Sequence, residues 1–399
     1  MGAHRLVAPA GAPLPVRTVL PALFRRNDRR LARLLEERLG ARYAFFASSG
    51  RAALAVLLAA LREGSDRREV VMPAYTCFSV PSAVARAGLT IRLCDVDPKT
   101  LDLDQNALAR LDLSRALCIV PSGLYGLPSD LAALEPIARS AGAALVDDAA
   151  QCLGATQAGK PCGTFGDAGF YSLGRGKGIT TMGGGILVTR QGALARKIER
   201  HVERLPRAST LEVGVAVATS LVYAAMLAPS RYWMLDRLPF LGLGRSHFEP
   251  DFPIAALSAY QRRLAVELWP HVDAYNRIRR ANAEGLRAGI GGVEGIEVPR
   301  PIDGTSPIYL RFPILARDET HRGDLLERLT RAGIGASASY PTSIEEIPDI
   351  GRHLAPDQEA CPGARAVAAR MLTLPTHPGV TPDDIERTVA IVRGSWRPR

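Results

Sequence analysis

From about residue 40 to residue 190, short apolar runs alternate with stretches whose apolar residues recur at helical spacing. Residues 43–48 (YAFFAS), 69–74 (EVVMPA), 90–96 (TIRLCDV), 116–122 (ALCIVPS), 144–150 (ALVDDAA), 169–173 (GFYSL) and 184–190 (GGILVTR) have the length of strands. Most are apolar without strict alternation, as strands buried on both faces require. Between them, residues 51–62, 80–87 and 129–140 carry Leu, Ala and Val at helical spacing. Strand and helix repeating in this way predict an α/β fold, with a mainly parallel sheet covered by helices.

The pattern changes after residue 190. Residues 198–207 read as a charged helix, and 213–230 run eighteen residues without a charge, followed by Arg231-Tyr232-Trp233 and the apolar run 235–243. A helix over 213–228 would reach about 24 Å at ~1.5 Å per residue, short of the ~30 Å of a bilayer core. A buried helix or an oligomer contact is therefore expected. A peripheral membrane contact through 213–243 is the second reading, with Tyr232 and Trp233 at the interface and Arg231 and Arg237 beside them. Residues 269–286 then read as a long charged helix entering a second α/β unit, with strands at 295–301 and 307–313 and helices at 322–332, 365–371 and 383–392. The expected organisation is a large domain over 1–265, with an apolar insertion at about 208–250, and a smaller C-terminal domain over 266–399.

Composition narrows the function. The 399 residues are 47% hydrophobic and 23% charged, values of a globular chain. Fifty Lys and Arg against forty Asp and Glu give +10, which favours anionic ligands such as phosphates. The arginines are interleaved with acids, so no nucleic-acid surface is implied. Six cysteines without a CxxC pair and seven histidines without HxH or HExxH give no metal-ligand spacing. With no signal-peptide pattern in residues 1–15, a reduced, cytoplasmic protein is expected.

Open α/β sheets bind ligands at the carboxyl ends of their strands, and three of those ends carry chemistry. Ser49-Gly50-Arg51 follows the first strand and opens a helix, where exposed N–H groups can hold a phosphate. Asp147, Asp148 and Gln151 close the strand at 144–150; a carboxylate there is partly desolvated and needs a cationic partner, such as a protonated pyridine nitrogen. After residue 173, Gly174-Arg175-Gly176-Lys177-Gly178 sets a lysine among glycines. Each has a plainer reading: a helix cap, a turn-capping Asp, a solvated Lys. Tyr171 and Gly178 rule out a Walker A loop, and no GxGxxG follows a first strand. Combined, an anion cradle, a ring-nitrogen carboxylate and an amine for a Schiff base fit a pyridoxal phosphate site.

With these parts the chain resembles the DegT/StrS-type sugar aminotransferases of the fold type I pyridoxal phosphate architecture. The resemblance spans nearly the whole chain, through Met72-Pro73-Ala74-Tyr75-Thr76, Leu124-Tyr125-Gly126-Leu127-Pro128, Asp148-Ala149-Ala150-Gln151, Ser172 five residues before Lys177, Ser339-Tyr340-Pro341 and Leu374-Pro375-Thr376-His377-Pro378. It implies a homodimer using pyridoxal 5′-phosphate, with an amino donor such as glutamate and a nucleotide-sugar-like acceptor. Lys177 would carry the imine and shuttle the proton, Asp148 would pair with the pyridine nitrogen, and Gln151 with the ring hydroxyl. Ser172, Ser49 and the backbone of Gly50 and Arg51 would hold the phosphate, and Tyr340 and His377 would line the acceptor pocket.

Three departures from the family pattern stand out. Arg51 replaces the usual Thr and could add a charge to the phosphate. Cys77 stands where an aromatic ring commonly covers the cofactor, leaving Tyr75 or Phe78 to take that part. Asp251-Phe252-Pro253 replaces an Asn-Tyr-Arg segment that reaches the partner's phosphate. The alternatives are a dehydratase-like sugar enzyme, against which the retained Lys177 argues, and a non-catalytic regulatory or scaffold protein.

Overall fold

The computed structural model describes residues 5–24, 30–236 and 247–394. Arg237 and most of the apolar run 235–243 lie outside the described residues. Thirteen strands are described: β1 (Tyr43–Ala47), β2 (Glu69–Pro73), β3 (Thr90–Cys94), β4 (Ala116–Ile119), β5 (Ala144–Asp148), β6 (Thr156–Gln157), β7 (Lys160–Pro161), β8 (Ala168–Ser172), β9 (Gly185–Thr189), β10 (Ile296–Glu297), β11 (Thr305–Ser306), β12 (Phe312–Ala316) and β13 (Met371–Leu374).

Seven of them form one sheet in the order β1-β9-β8-β5-β4-β2-β3. Only β9 runs against the others, pairing antiparallel with β1 and β8, while β5–β8, β4–β5, β2–β4 and β2–β3 are parallel. The sheet is thus mainly parallel and covered by helices, as expected. Helix Gly50–Arg62, almost entirely Ala, Leu and Val, is buried all round against it.

A second sheet, β10-β12-β13, carries helices Glu319–Arg331, Pro362–Arg370 and Pro382–Val392. Between the two sheets the chain passes from helix Ala259–Leu268 through a 3-10 turn, Trp269–His271, into helix Val272–Ile290. Two expectations shift here. The strand expected at 307–313 lies instead at Phe312–Ala316, because Ile308 and Arg311 donate their N–H groups to Gly126 and Tyr125 of the large sheet's side (3.0 and 3.3 Å). Residues 308–311 therefore bridge toward the large sheet before β12 begins. The helix expected at 365–371 ends at Arg370, and Met371 starts β13 in register with Leu315.

Of the two arrangements expected for the apolar insertion, a buried helix or an oligomer contact, the first does not hold. Helix Thr210–Met226 opens with a capping box between Ser209 and Glu212 and buries only Ser220 and Tyr223. Leu211 is 77% exposed, and Val215 and Val222 are exposed beside the contacting helix Val16–Phe24, whose Val16, Leu20 and Phe24 also face outward. Its inner face packs on the extended segment at residues 5–15, where Val7, Ala8, Ala12 and Leu14 are buried. Ala12 donates to the Tyr223 hydroxyl (3.4 Å) and Leu6 to the Pro229 carbonyl (2.9 Å). None of the described helices is long and apolar enough to cross a membrane.

Candidate active site

The C-terminal ends of β1, β5 and β8 converge on a cavity of about 550 Å³, closed on its other side by residues 310–311 and 339–340. A small-molecule site of ~300–1,000 Å³ is the usual range. Ser49, Gly50, Arg51, Cys77, Asp148, Gln151, Ser172, Lys177 and Tyr340 all line it, so nine of the residues singled out in the sequence meet in one place.

At the end of β1, Ser49 is the N-cap of helix Gly50–Arg62, its hydroxyl accepting from Ala52 N–H (3.1 Å). The N–H groups of Gly50 and Arg51 are the first two of the helix and have no intrahelical acceptor. Ser172, at the end of β8, faces this turn so closely that a Cβ on Gly50 would lie 2.9 Å from the Ser172 Cβ. Glycine is required here by close approach, and the result is a cradle of two N–H groups and a hydroxyl at a positive helix end, suited to a phosphate. The Arg51 side chain does not complete it. Its guanidinium pairs with Glu249 at 2.7 Å and lies over the Phe252 ring at 4.5 Å. Arg51 thereby pins the segment around 249–253 to the turn, and what it offers a phosphate is its backbone N–H.

Strand alternation separates the two aspartates of β5. Asp147 turns away and accepts from the N–H groups of Gly163 and Phe165. Asp148 turns into the cavity, its carboxylate taking Ala150 N–H (3.0 Å) and the Ser122 hydroxyl (3.3 Å). Burial raises the Asp148 pKa, against the lowering effect of those bonds and of Lys177. A carboxylate so placed calls for a cationic partner, which a protonated pyridine nitrogen provides.

Lys177 sits in a loop tied at both ends: its N–H reaches Gly174 O (3.3 Å), and Gly178 O accepts from Arg279 (3.0 Å). The chain has four lysines. Lys99 is exposed, Lys160 pairs with Glu135 (3.4 Å) and Lys197 donates to Glu63 O (2.6 Å). Lys177 is the one that lines the cavity. Burial lowers its pKa, with the charges of Cys77 and Asp148 opposing, which favours the neutral, nucleophilic amine. Burial alone would raise the Cys77 pKa, but Lys177 and hydrogen bonding with Ser79 and Tyr340 outweigh it, and the net direction is down.

The remaining expectations divide. Gln151 accepts from Tyr125 N–H (3.2 Å) and approaches the Tyr340 hydroxyl (3.5 Å), which places its amide between two aromatic residues of the wall. Cys77 is in the cavity lining and Tyr75 and Phe78 are not; their rings lie 6.3 and 5.7 Å from the Tyr340 ring. The Tyr75 hydroxyl is consumed by Tyr125 (3.0 Å) and the Tyr340 N–H (2.8 Å). His377 is outside the cavity lining; it is buried beside residues 8–15, with Ala8 O at 2.9 Å from Nε2 and Gly379 N–H at 3.1 Å from Nδ1. Sequence reasoning passed over Tyr125, Arg175 and Arg311, all in the lining. A lone arginine inside the apolar run 307–313 was the available signal for the last. Among the described residues no cluster of His, Cys, Asp or Glu could hold a metal ion, and none of the six cysteines is in a disulfide.

A mainly parallel sheet with a phosphate cradle, a buried carboxylate and a desolvated lysine at its strand ends defines a pyridoxal phosphate enzyme. The chain belongs to the DegT/DnrJ/EryC1/StrS aminotransferase family, which it matches over residues 25–210 and 257–393; it is an aminotransferase whose cofactor is pyridoxal 5′-phosphate. The unmatched stretch, 211–256, coincides with the apolar insertion and includes Asp251-Phe252-Pro253. The chain is 30% identical over 345 residues to an L-glutamine:2-deoxy-scyllo-inosose aminotransferase of Streptomyces fradiae, covering 84% of this chain and 75% of that one. It is 27% identical over 349 residues to a UDP-N-acetyl-3-dehydro-alpha-D-glucosamine 3-aminotransferase of Acidithiobacillus ferrooxidans, covering 87% and 82%. The crystal structure of the sugar aminotransferase CalS13 from Micromonospora echinospora matches with a TM-score of 0.76 at 25% identity, covering 99% of this chain and all of that one.

Proposed function

We propose that this aminotransferase moves an amino group from glutamate or glutamine onto a keto group of a nucleotide-activated sugar or related polyol, in two half-reactions that share one cavity. The observation that carries the reading is the meeting of Lys177, Asp148 and the Gly50–Ser172 cradle in a single space lined by a net excess of cations. Bound pyridoxal phosphate supplies an electron sink conjugated to an electrophilic carbon. The protein's own part follows from position. The N–H groups of Gly50 and Arg51 and the Ser172 hydroxyl would hold the phosphate. Asp148 would keep a proton on the ring nitrogen. The Lys177 amine would hold the cofactor at its aldehyde carbon and would carry the proton at the substrate carbon that bears nitrogen. Gln151 and Tyr340 close the wall against water. The relative acting on a UDP-sugar and the basic cavity support a phosphate-bearing acceptor, and the inosose relative supports a keto polyol.

Retention of a lysine at 177 favours amino transfer over dehydration. Incubation with glutamate or glutamine and a panel of nucleotide-linked ketosugars and keto polyols, read by mass spectrometry, tests the reading; an aminated product with the matching 2-oxo acid is expected, and a deoxy product or none would refute it.

The working unit is proposed to be a cytoplasmic homodimer, each chain divided near residue 265. The outward apolar row of Leu211, Val215, Val222, Leu20 and Phe24 supports a contact through the insertion, either with a second protomer or at a membrane surface. Flotation with anionic liposomes separates the two: co-flotation is expected of a membrane contact, and its absence leaves the protomer contact.

A further inference from the structure

Once the phosphate cradle and Asp148 are assigned to the cofactor, one charged group of the cavity has no role. Arg311 stands on the bridge at 308–311, facing the large sheet's strand ends from the other side. Its Nη1 is buried with no hydrogen-bond partner. The other cations of the cavity are accounted for or peripheral: Arg51 is held by Glu249, Lys177 is the reactive amine, and Arg175 is exposed. A buried guanidinium nitrogen without an acceptor costs stability, so its retention points to an anion that arrives during the reaction. Arg311 is near enough to Lys177 to contribute to the lowering of its pKa, behind the larger effect of burial, and its backbone is fixed through Tyr125, whose own N–H is held by Gln151.

We infer that Arg311 is the specificity residue that binds the α-carboxylate of the amino donor. The inference rests on the proposed transaminase reading. Geometry selects the donor over the acceptor: in an amino acid the carboxylate is attached to the same carbon that exchanges its nitrogen beside Lys177, whereas the phosphates of a nucleotide sugar are separated from the reacting carbon by the sugar ring. A planar fork of N–H groups matches a carboxylate in two-point contact. Glutamate and glutamine share this group, so Arg311 serves either donor.

The test uses the cofactor-loaded full chain and compares the wild type with Arg311→Gln and Arg311→Lys. The visible band of the bound cofactor is followed as L-glutamate, L-glutamine or 4-aminobutyrate is added; the last is glutamate without its α-carboxylate. Arg311→Gln is expected to raise the half-saturating glutamate about 30-fold or more, the effect of losing a charge-assisted hydrogen bond. Arg311→Lys recovers part of it. The much poorer 4-aminobutyrate changes little, and so does half-saturation by the ketosugar acceptor in the second half-reaction. A merely structural role would move donor and acceptor together. Unchanged glutamate saturation in both variants, or a rise confined to the acceptor, overturns the assignment; the latter would give Arg311 to a phosphate of the sugar nucleotide. A wild-type band indifferent to every amino acid would refute the transaminase reading itself, and the inference with it.

Discussion

Residue identity alone does not separate Asp147 from Asp148 or one histidine from another; their surroundings do. Sequence pattern placed both aspartates at a strand end, and alternation along β5 then turned Asp148 to the cavity. Asp148→Asn is expected to keep part of the cofactor affinity while turnover falls about 100-fold or more, as for removal of an electrostatic partner at a reaction centre; normal turnover in a kinetic assay would contradict the pairing. His377 shows where sequence reasoning stops. Its motif fits the family, yet the ring is buried between Ala8 O and Gly379 N–H, an arrangement that holds the neutral form with the proton on Nε2. Burial pushes its pKa down to about 4. A folded-state value below the unfolded ~6.5 means that the unfolded chain binds the extra proton, so stability is intact above pH ~6.5 and declines as pH falls toward 4, by up to about 3 kcal/mol. Denaturant titrations from pH 7 to 4 should show this slope in the wild type and a flatter one in His377→Gln. Parallel slopes would mean that the histidine is not held neutral.

At the scale of elements, periodicity read the large sheet well because all its strands but β1 are buried on both faces. It read the C-terminal part of the chain less well, since β10 and β11 have two residues each and β12 is displaced by the bridge at 308–311. The insertion misled for a different reason: an uncharged run implies burial only when there is something to bury it, and helix Thr210–Met226 has one packed face. Leu211→Glu with Val222→Glu should therefore leave thermal unfolding within about 0.5 kcal/mol of wild type, while abolishing whatever contact that face makes in liposome flotation or sedimentation. A large loss of stability would show that the face is covered within the protomer. The turn after β1 has the opposite character. A methyl group on Gly50 would press on Ser172, so Gly50→Ala is expected to weaken cofactor binding by about 1–2 kcal/mol through overpacking, with the fold retained. Unaltered affinity in a fluorescence titration would remove that turn from the phosphate site.

For the whole molecule, the parts come together because β1, β5 and β8 stand side by side with only β9 interposed, so residues from 49 to 177 reach a common cavity and the bridge at 308–311 closes it. That convergence was legible as a set of strand-end residues. The far wall was not, because Arg311 reaches it through the tertiary contact of the bridge with Tyr125, which no local spacing encodes. The central claim is the covalent attachment of the cofactor at Lys177. Borohydride reduction of the cofactor-loaded protein, followed by peptide mass mapping, tests it directly. The expected result is a single reduced cofactor adduct on the peptide carrying Lys177. An adduct on Lys99, Lys160 or Lys197 in its place, or a loaded protein that yields no adduct, would contradict the account.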